Sequence, residues 1–147
     1  MGSIKNHSGK ITVYHRGKGV KNKYRKILFN RTFDFSGIIC SLEYDPNRSA
    51  YLASVYDYTN NQFFYIIAPQ SLRVGDIVKS GKEIKPSLGS SLPLAEIPIG
   101  TPIYNISIRP KQNAKFSRSA GTFSILKNKT ENHAVIELSS GKNKLFP

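Results

Sequence analysis

Short runs rich in β-branched and aromatic residues recur along this chain, and turn-forming residues cut each one off before a helical face could develop. That rhythm restricts the chain to small antiparallel β-modules. The first runs are Ile11–Tyr14, Tyr24–Phe29, Gly37–Tyr44, Tyr51–Tyr58, Phe63–Ala68 and Ile77–Lys79. Asp45-Pro46-Asn47 and Thr59-Asn60-Asn61 read as turns between strands, because proline fixes one dihedral and asparagine tolerates left-handed backbone. Tyr51–Tyr58 keeps an imperfect period of two, which excludes a helical face. Only Gln70–Arg73 leaves room for a helical turn.

From residue 85 to 102 the composition changes. Gly89, Ser90 and Ser91 are followed by Pro93, Pro98 and Pro102, the mark of a linker and the entry to a second module. Strands are expected there at Ile103–Arg109, Thr122–Lys127 and Ala134–Leu138, with a last short one after Ser139-Ser140-Gly141-Lys142. A chain of 147 residues holds one ordinary domain or two small ones. We therefore expect an all-β protein with an N-terminal arm over 1–9, a first module over 10–84 and a second over 85–147. At about 60 residues, burial in the second module barely exceeds chain entropy, so docking on a partner is expected to complete its stability.

Charge narrows the partner. The chain carries a net +13 and a pI near 10.0, so its usual surroundings are negative. No run approaches the roughly 18 apolar residues of a membrane span, and no basic amphipathic helix is present; nucleic acid is favoured over a membrane. Nine Lys or Arg and no acid lie between Met1 and Phe33. The stretch from His15 to Arg31 repels itself unless a polyanion neutralises it, whereas a merely soluble face would mix the two signs. Its candidate contacts are His15, Arg16, Lys18, Lys21, Lys23, Tyr24, Arg25, Lys26 and Arg31, with Gly17 and Gly19 allowing close backbone approach and Tyr24 offering a flat face. For His15, burial beside Tyr14 is the plain alternative. A second acid-free stretch lies between Glu96 and Glu131, and within it Arg109–Thr122 reads as a long loop, a place where function concentrates. Arg109, Lys111, Lys115, Arg118, Ser119, Gly121 and Thr122 are its candidates, since hydroxyls and backbone N–H groups around a glycine meet phosphates at close range.

An enzyme is excluded by inventory. His7, His15 and His133 are far apart, and no Cys/His set has metal-ligand spacing. Gly17-Lys18-Gly19 lacks the rest of a phosphate loop, and no G-x-S-x-G turn occurs. No cofactor or metal is implied. The single cysteine, Cys40, sits in an apolar run and reads as a small core residue in a reducing compartment.

Glu43-Tyr44-Asp45-Pro46-Asn47-Arg48-Ser49-Ala50 is specific enough to resemble one family, that of large-subunit ribosomal protein L-two. Four further stretches match its patterns in order. Gly9-Lys-Ile-Thr-Val-Tyr-His15-Arg-Gly-Lys-Gly resembles the family's "GRITxRHxGGGxK" loop. Ala68-Pro-Gln-Ser-Leu-Arg-Val-Gly-Asp76 is similar to "APxGLxVGD", Leu92–Thr101 to "LPLxxIPxGT", and Arg118-Ser-Ala-Gly-Thr122 to "RSAGT". The resemblance implies an OB-like barrel followed by an SH3-like barrel, with basic loops embedded in large-subunit rRNA beside other large-subunit ribosomal proteins. It adds Arg48 and Ser49 to the candidate contacts: Arg48 would present its guanidinium to phosphate while Asp45 and Asn47 shape the turn.

The departures carry information too. The family's triple glycine is Gly17-Lys18-Gly19 here, the histidine following its "GT" is Tyr104, and the glycine-rich loop before "RSAGT" is largely lysine and polar residues. The family's N-terminal extension and its Gly-, Trp- and His-containing C-terminal region, which reaches toward the peptidyl-transferase centre, have no counterpart in the 147 residues. The expectation is a split protein whose C-terminal part is a separate polypeptide or lost; a fragment of a longer protein would give the same sequence. Ile, Lys, Asn, Phe and Tyr supply 58 of 147 residues, a usage that an A/T-rich genome explains. With no import signal read in the sequence, the expectation is a mitochondrial ribosome with an organelle-encoded gene, a plastid being second. The competing function is a free-standing OB-type single-strand binder, which would need several of Tyr56, Tyr58, Phe63, Phe64 and Tyr65 on one exposed sheet face.

Overall fold

The computed structural model describes residues 2–16, 21–82, 84–109 and 111–147. In chain order the elements are β1 (Gly2–Lys5), β2 (Ile11–Arg16), β3 (Phe35–Glu43), β4 (Leu52–Asp57), β5 (Gln62–Ile67), β6 (Ile77–Ser80), a single 3-10 turn η1 (Leu94–Glu96), β7 (Pro102–Ile103), β8 (Ser124–Lys129), β9 (Ala134–Glu137) and β10 (Asn143–Phe146). They form a β1-β2 ribbon, a sheet ordered β5-β4-β3-β6 and a sheet ordered β10-β9-β8-β7, with every strand pairing antiparallel. This is the expected all-β architecture, an OB-like module followed by an SH3-like one.

Alternation puts the cores where they are. Phe35 and Ile39 of β3, Ala53 and Val55 of β4, Ile66 of β5 and Val78 of β6 project from one face of the first sheet and are closed over by Leu72. At one end the opposite face is covered as well, where Leu52 and Ile67 pack with Ile27 and Ala50. Tyr104 of the second module joins that cluster, so the modules share apolar contact. The second core gathers Ile103, Ile106, Leu126, Ala134, Ile136 and Phe146.

Four local expectations are corrected. Tyr24–Phe29 is extended but not a full strand: Ile27 bridges Tyr65 and Leu28 N–H reaches the Tyr65 carbonyl at 2.8 Å, while the cations Lys21, Lys23 and Lys26 on the same segment face solvent. Ile103–Arg109 ends as a strand after Ile103, where Asn105 adopts a left-handed φ of 52°, and pairing resumes only as an isolated Ile106↔Phe116 bridge. Gln70–Arg73 is a turn without a helix, since Ser71 has φ 70°. Cys40 is exposed, not core. The β3–β4 ladder slips between Ile39↔Val55 and Ser41↔Ser54, which makes Cys40 the extra residue of a bulge.

Candidate nucleic-acid interface

The fold engages Glu43, Asp45, Asp57 and Glu137 in contacts of its own, leaves Asp34, Glu96 and Glu131 exposed, and keeps most of its cations outside. Glu43 pairs with Arg25 and accepts from Ser41 and Tyr65. Asp57 accepts Thr59 N–H at 2.8 Å and the Asn60 amide at 2.7 Å, closing the β4–β5 turn. Burial pushes Asp57 upward, but those hydrogen bonds outweigh it and its net shift is downward.

Asp45 does the most for the site. It is wholly buried, accepts Asn47 N–H at 3.0 Å and holds Arg48 Nε at 2.6 Å. The Asn47 N–H and then the Arg48 side chain hold its carboxyl below 3.8, its ordinary value, against the opposing effect of burial. With Nε committed to Asp45, the Nη donors of Arg48 have no acceptor among the described residues. The guanidinium carbon lies 5.8 Å from the Phe29 ring centre and 6.0 Å from that of Tyr24.

The second module reaches the same ring. Arg118 places its guanidinium carbon 5.0 Å from the Phe29 centre, within the range of cation–π attraction. The turn that follows Arg118 is closed by Thr122 N–H on the Ser119 carbonyl at 3.2 Å, and Gly121 supplies the left-handed φ of 71° that its third position requires. Its Ala120 N–H donates to Ser49 Oγ at 3.2 Å, tying this turn to the one after Asp45. Asn30 donates to the Lys111 carbonyl at 2.8 Å, Asn105 to the Phe29 carbonyl at 3.4 Å and Tyr104 to the Ile67 carbonyl at 3.4 Å. Phe29 thus carries a guanidinium from each module, one paired with Asp45 and one with no carboxylate partner among the described residues.

Of the residues expected to form a site, the structure thus brings together Tyr24, Arg48, Ser49, Lys111, Arg118, Ser119, Gly121 and Thr122. Lys21, Lys23, Lys26, Arg109 and Lys115 are exposed on flanking segments. Arg25 is half-buried against Glu43 and Tyr65. Arg31 is buried; its Nη1 donates to the Gly89 carbonyl at 2.8 Å and its own carbonyl accepts Ser80 Oγ at 2.6 Å, a tie between β6 and the chain that follows it. His15 and Arg16 lie in β2, whereas Lys18 and its two glycines fall outside the described residues. Sequence reasoning missed Phe29 as the shared platform, although an apolar Ile27-Leu28-Phe29 inside a cationic run was a visible signal. It noted Tyr104 only as a departure, and the structure makes that ring part of the contact between modules.

An OB-like module joined to an SH3-like module across a seam of arginine and aromatic rings defines a class of small β-proteins suited to polyanions. The chain belongs to the ribosomal protein L2 family: residues 2–80 match Ribosomal Proteins L2, RNA binding N-terminal domain, and residues 87–147 match Ribosomal Proteins L2, C-terminal domain. That family is structural and non-enzymatic. Over 145 residues the chain is 48% identical to large ribosomal subunit protein uL2m of Reclinomonas americana, covering 97% of this chain and 52% of that protein. It is 43% identical to large ribosomal subunit protein uL2 of Orientia tsutsugamushi, over 94% of this chain and 50% of the relative. The uL2 of Parabacteroides distasonis is 45% identical, over 95% and 51%. The chain therefore spans about half the length of the curated relatives it matches.

Proposed function

We propose that this chain is a structural constituent of the large ribosomal subunit, binding large-subunit rRNA through the Arg48–Phe29–Arg118 seam and the basic segments beside it. In this reading it supports assembly and the region near the peptidyl-transferase centre, alongside other large-subunit proteins. The single observation that carries the reading is the convergence of two basic turns, one from each module, on one ring. Arg48 meets phosphate with a fixed direction because Asp45 holds its Nε edge; Arg118, Lys111 and the hydroxyls of the second turn add charge and donors. The location we propose is the mitochondrial matrix, with a plastid second; the similarity to a mitochondrial relative supports it. A separately made polypeptide carrying the remaining family region is proposed as a partner, and mass spectrometry of purified subunits should find it.

The test is incorporation. A chain carrying both Arg48→Ala and Arg118→Ala should fold, by circular dichroism, yet sediment free of the large subunit. If the double variant enters subunits as the unaltered chain does, the seam is not the anchor.

A further inference from the structure

Register across the first sheet places Phe63, Tyr56, Ile38 and Ile77 opposite one another in a row running over all four strands, and directly opposed residues share a face. It is the face turned away from the Val55–Ile66 core. Phe63 is 70% exposed, Ile77 56%, and Tyr58, just past the end of β4, 52%. The rings of Tyr56 and Phe63 lie 4.8 Å apart and those of Tyr56 and Tyr58 5.7 Å apart, while the Tyr56 hydroxyl donates to Asn61 Oδ1 at 3.0 Å. Phe63 and Tyr58 stay exposed while Tyr56 is half-buried against both, and an apolar row of this width on a sheet face marks a contact surface.

Charge identifies what it contacts. Along β5 the same face continues from Phe63 to Tyr65, over whose ring the Arg25 guanidinium sits at 5.4 Å. Beyond Tyr65 lies Ile27, on the segment that carries the exposed Lys21, Lys23 and Lys26. The carboxylates within this sheet's strands are engaged internally, Glu43 by Arg25 and Asp57 by Thr59 and Asn60. Rings in a row beside a line of cations match a single-stranded nucleic acid, whose bases stack while its phosphates follow the charge. An apolar protein surface would leave those cations unanswered.

We propose that the open face of the first sheet is a stacking platform for unpaired RNA bases, with Tyr56 and Phe63 taking bases and the Lys21–Lys26 segment following the phosphates. The inference rests on reading the chain as an RNA binder but uses a face distinct from the seam.

The chain has no tryptophan, so Phe63→Trp installs a single tryptophan on the platform, excited selectively over the eight tyrosines, while keeping an aromatic face. Its emission should be quenched saturably by single-stranded oligoadenylate of about a dozen nucleotides. Phe63→Ala, at an exposed position, should keep the fold and weaken oligoadenylate binding by roughly tenfold, with binding of an abasic oligomer of equal length unchanged. Equal affinity of Phe63→Ala and the unaltered chain for oligoadenylate would overturn the platform. So would self-association of the unaltered chain that Phe63→Ala abolishes, because the face would then be a protein contact. If the unaltered chain binds neither oligoadenylate nor a folded large-subunit rRNA fragment, the RNA-binding reading itself fails; if it binds the fragment and Phe63→Ala changes nothing with either ligand, only the platform fails.

Discussion

The two turns that meet on Phe29 hold their arginines by different means. Arg48 is anchored: a buried carboxylate grips its Nε edge, and its side chain is only 16% exposed. Arg118 is exposed and has ring contact but no carboxylate partner among the described residues. The contrast extends to the regions around them. The first module's carboxylates Glu43, Asp45 and Asp57 are engaged within the fold, whereas the loop from Arg109 to Thr122 contains no acid. An anchored arginine fixes the direction from which a phosphate must come and ties that direction to stability. A free one adds attraction and supports the fold only through its ring contact.

The largest effect should come from the apolar contact the modules share. Leu52 is wholly buried there, and Leu52→Ala should cost about 2–5 kcal/mol, read as a fall in the urea midpoint. Hydrogen exchange should show the loss reaching the Tyr104 segment as well as β4; protection unchanged around Tyr104 would mean that the modules are stable independently. Next come the two arginines. Each alanine variant should reduce the log–log salt slope for binding a large-subunit rRNA fragment by ~1. Arg48→Ala alone should also lower the melting temperature, because it leaves Asp45 buried without its cation. Equal melting temperatures for Arg48→Ala and Arg118→Ala would break the comparison.

Acid offers a finer test. Asp45 and Asp57 titrate below their ordinary 3.8 in the folded chain. The unfolded chain therefore binds more protons in that range: the stabilisation is fully present above the ordinary carboxylate value and is lost as pH falls through the lowered folded values. Exchange followed from about pH 5 to about pH 2 should loosen β4 and the turns that hold Asp45 and Asp57; protection there that persists unchanged to about pH 2 would contradict it. The smallest effect concerns Cys40: as the exposed residue of a bulge it should be alkylated in the native protein without unfolding, and protection until unfolding would restore it to the core.

Much of the fold was legible because its causes are local. Runs of β-branched and aromatic residues located β3, β4 and β5, an imperfect period of two in Tyr51–Tyr58 excluded a helix there, and Asp45-Pro46-Asn47 announced a turn by its composition. The errors fell where a local pattern was interrupted by one backbone decision. The bulge at Cys40 and the left-handed Asn105 and Ser71 each ended a reading that residue types alone supported. The site was legible as charge but not as position. Arg31 belonged to the same cationic run as Lys26, yet Gly89 and Ser80 drew it inside; a count of cations along the chain cannot see a carbonyl brought near by folding.

What the sequence by itself determined is the kind of molecule: paired β-modules, an excess of cations with no local acids to cancel them, and family motifs in order. These depend on periodicity, charge and residue identity, all properties of neighbours along the chain. Only the tertiary structure decided that Arg48 and Arg118 share Phe29, that Tyr104 links the modules and that Phe63 and Tyr58 lie open on a sheet face. Those relations join residues distant in sequence through packing and strand register, and no local preference specifies them.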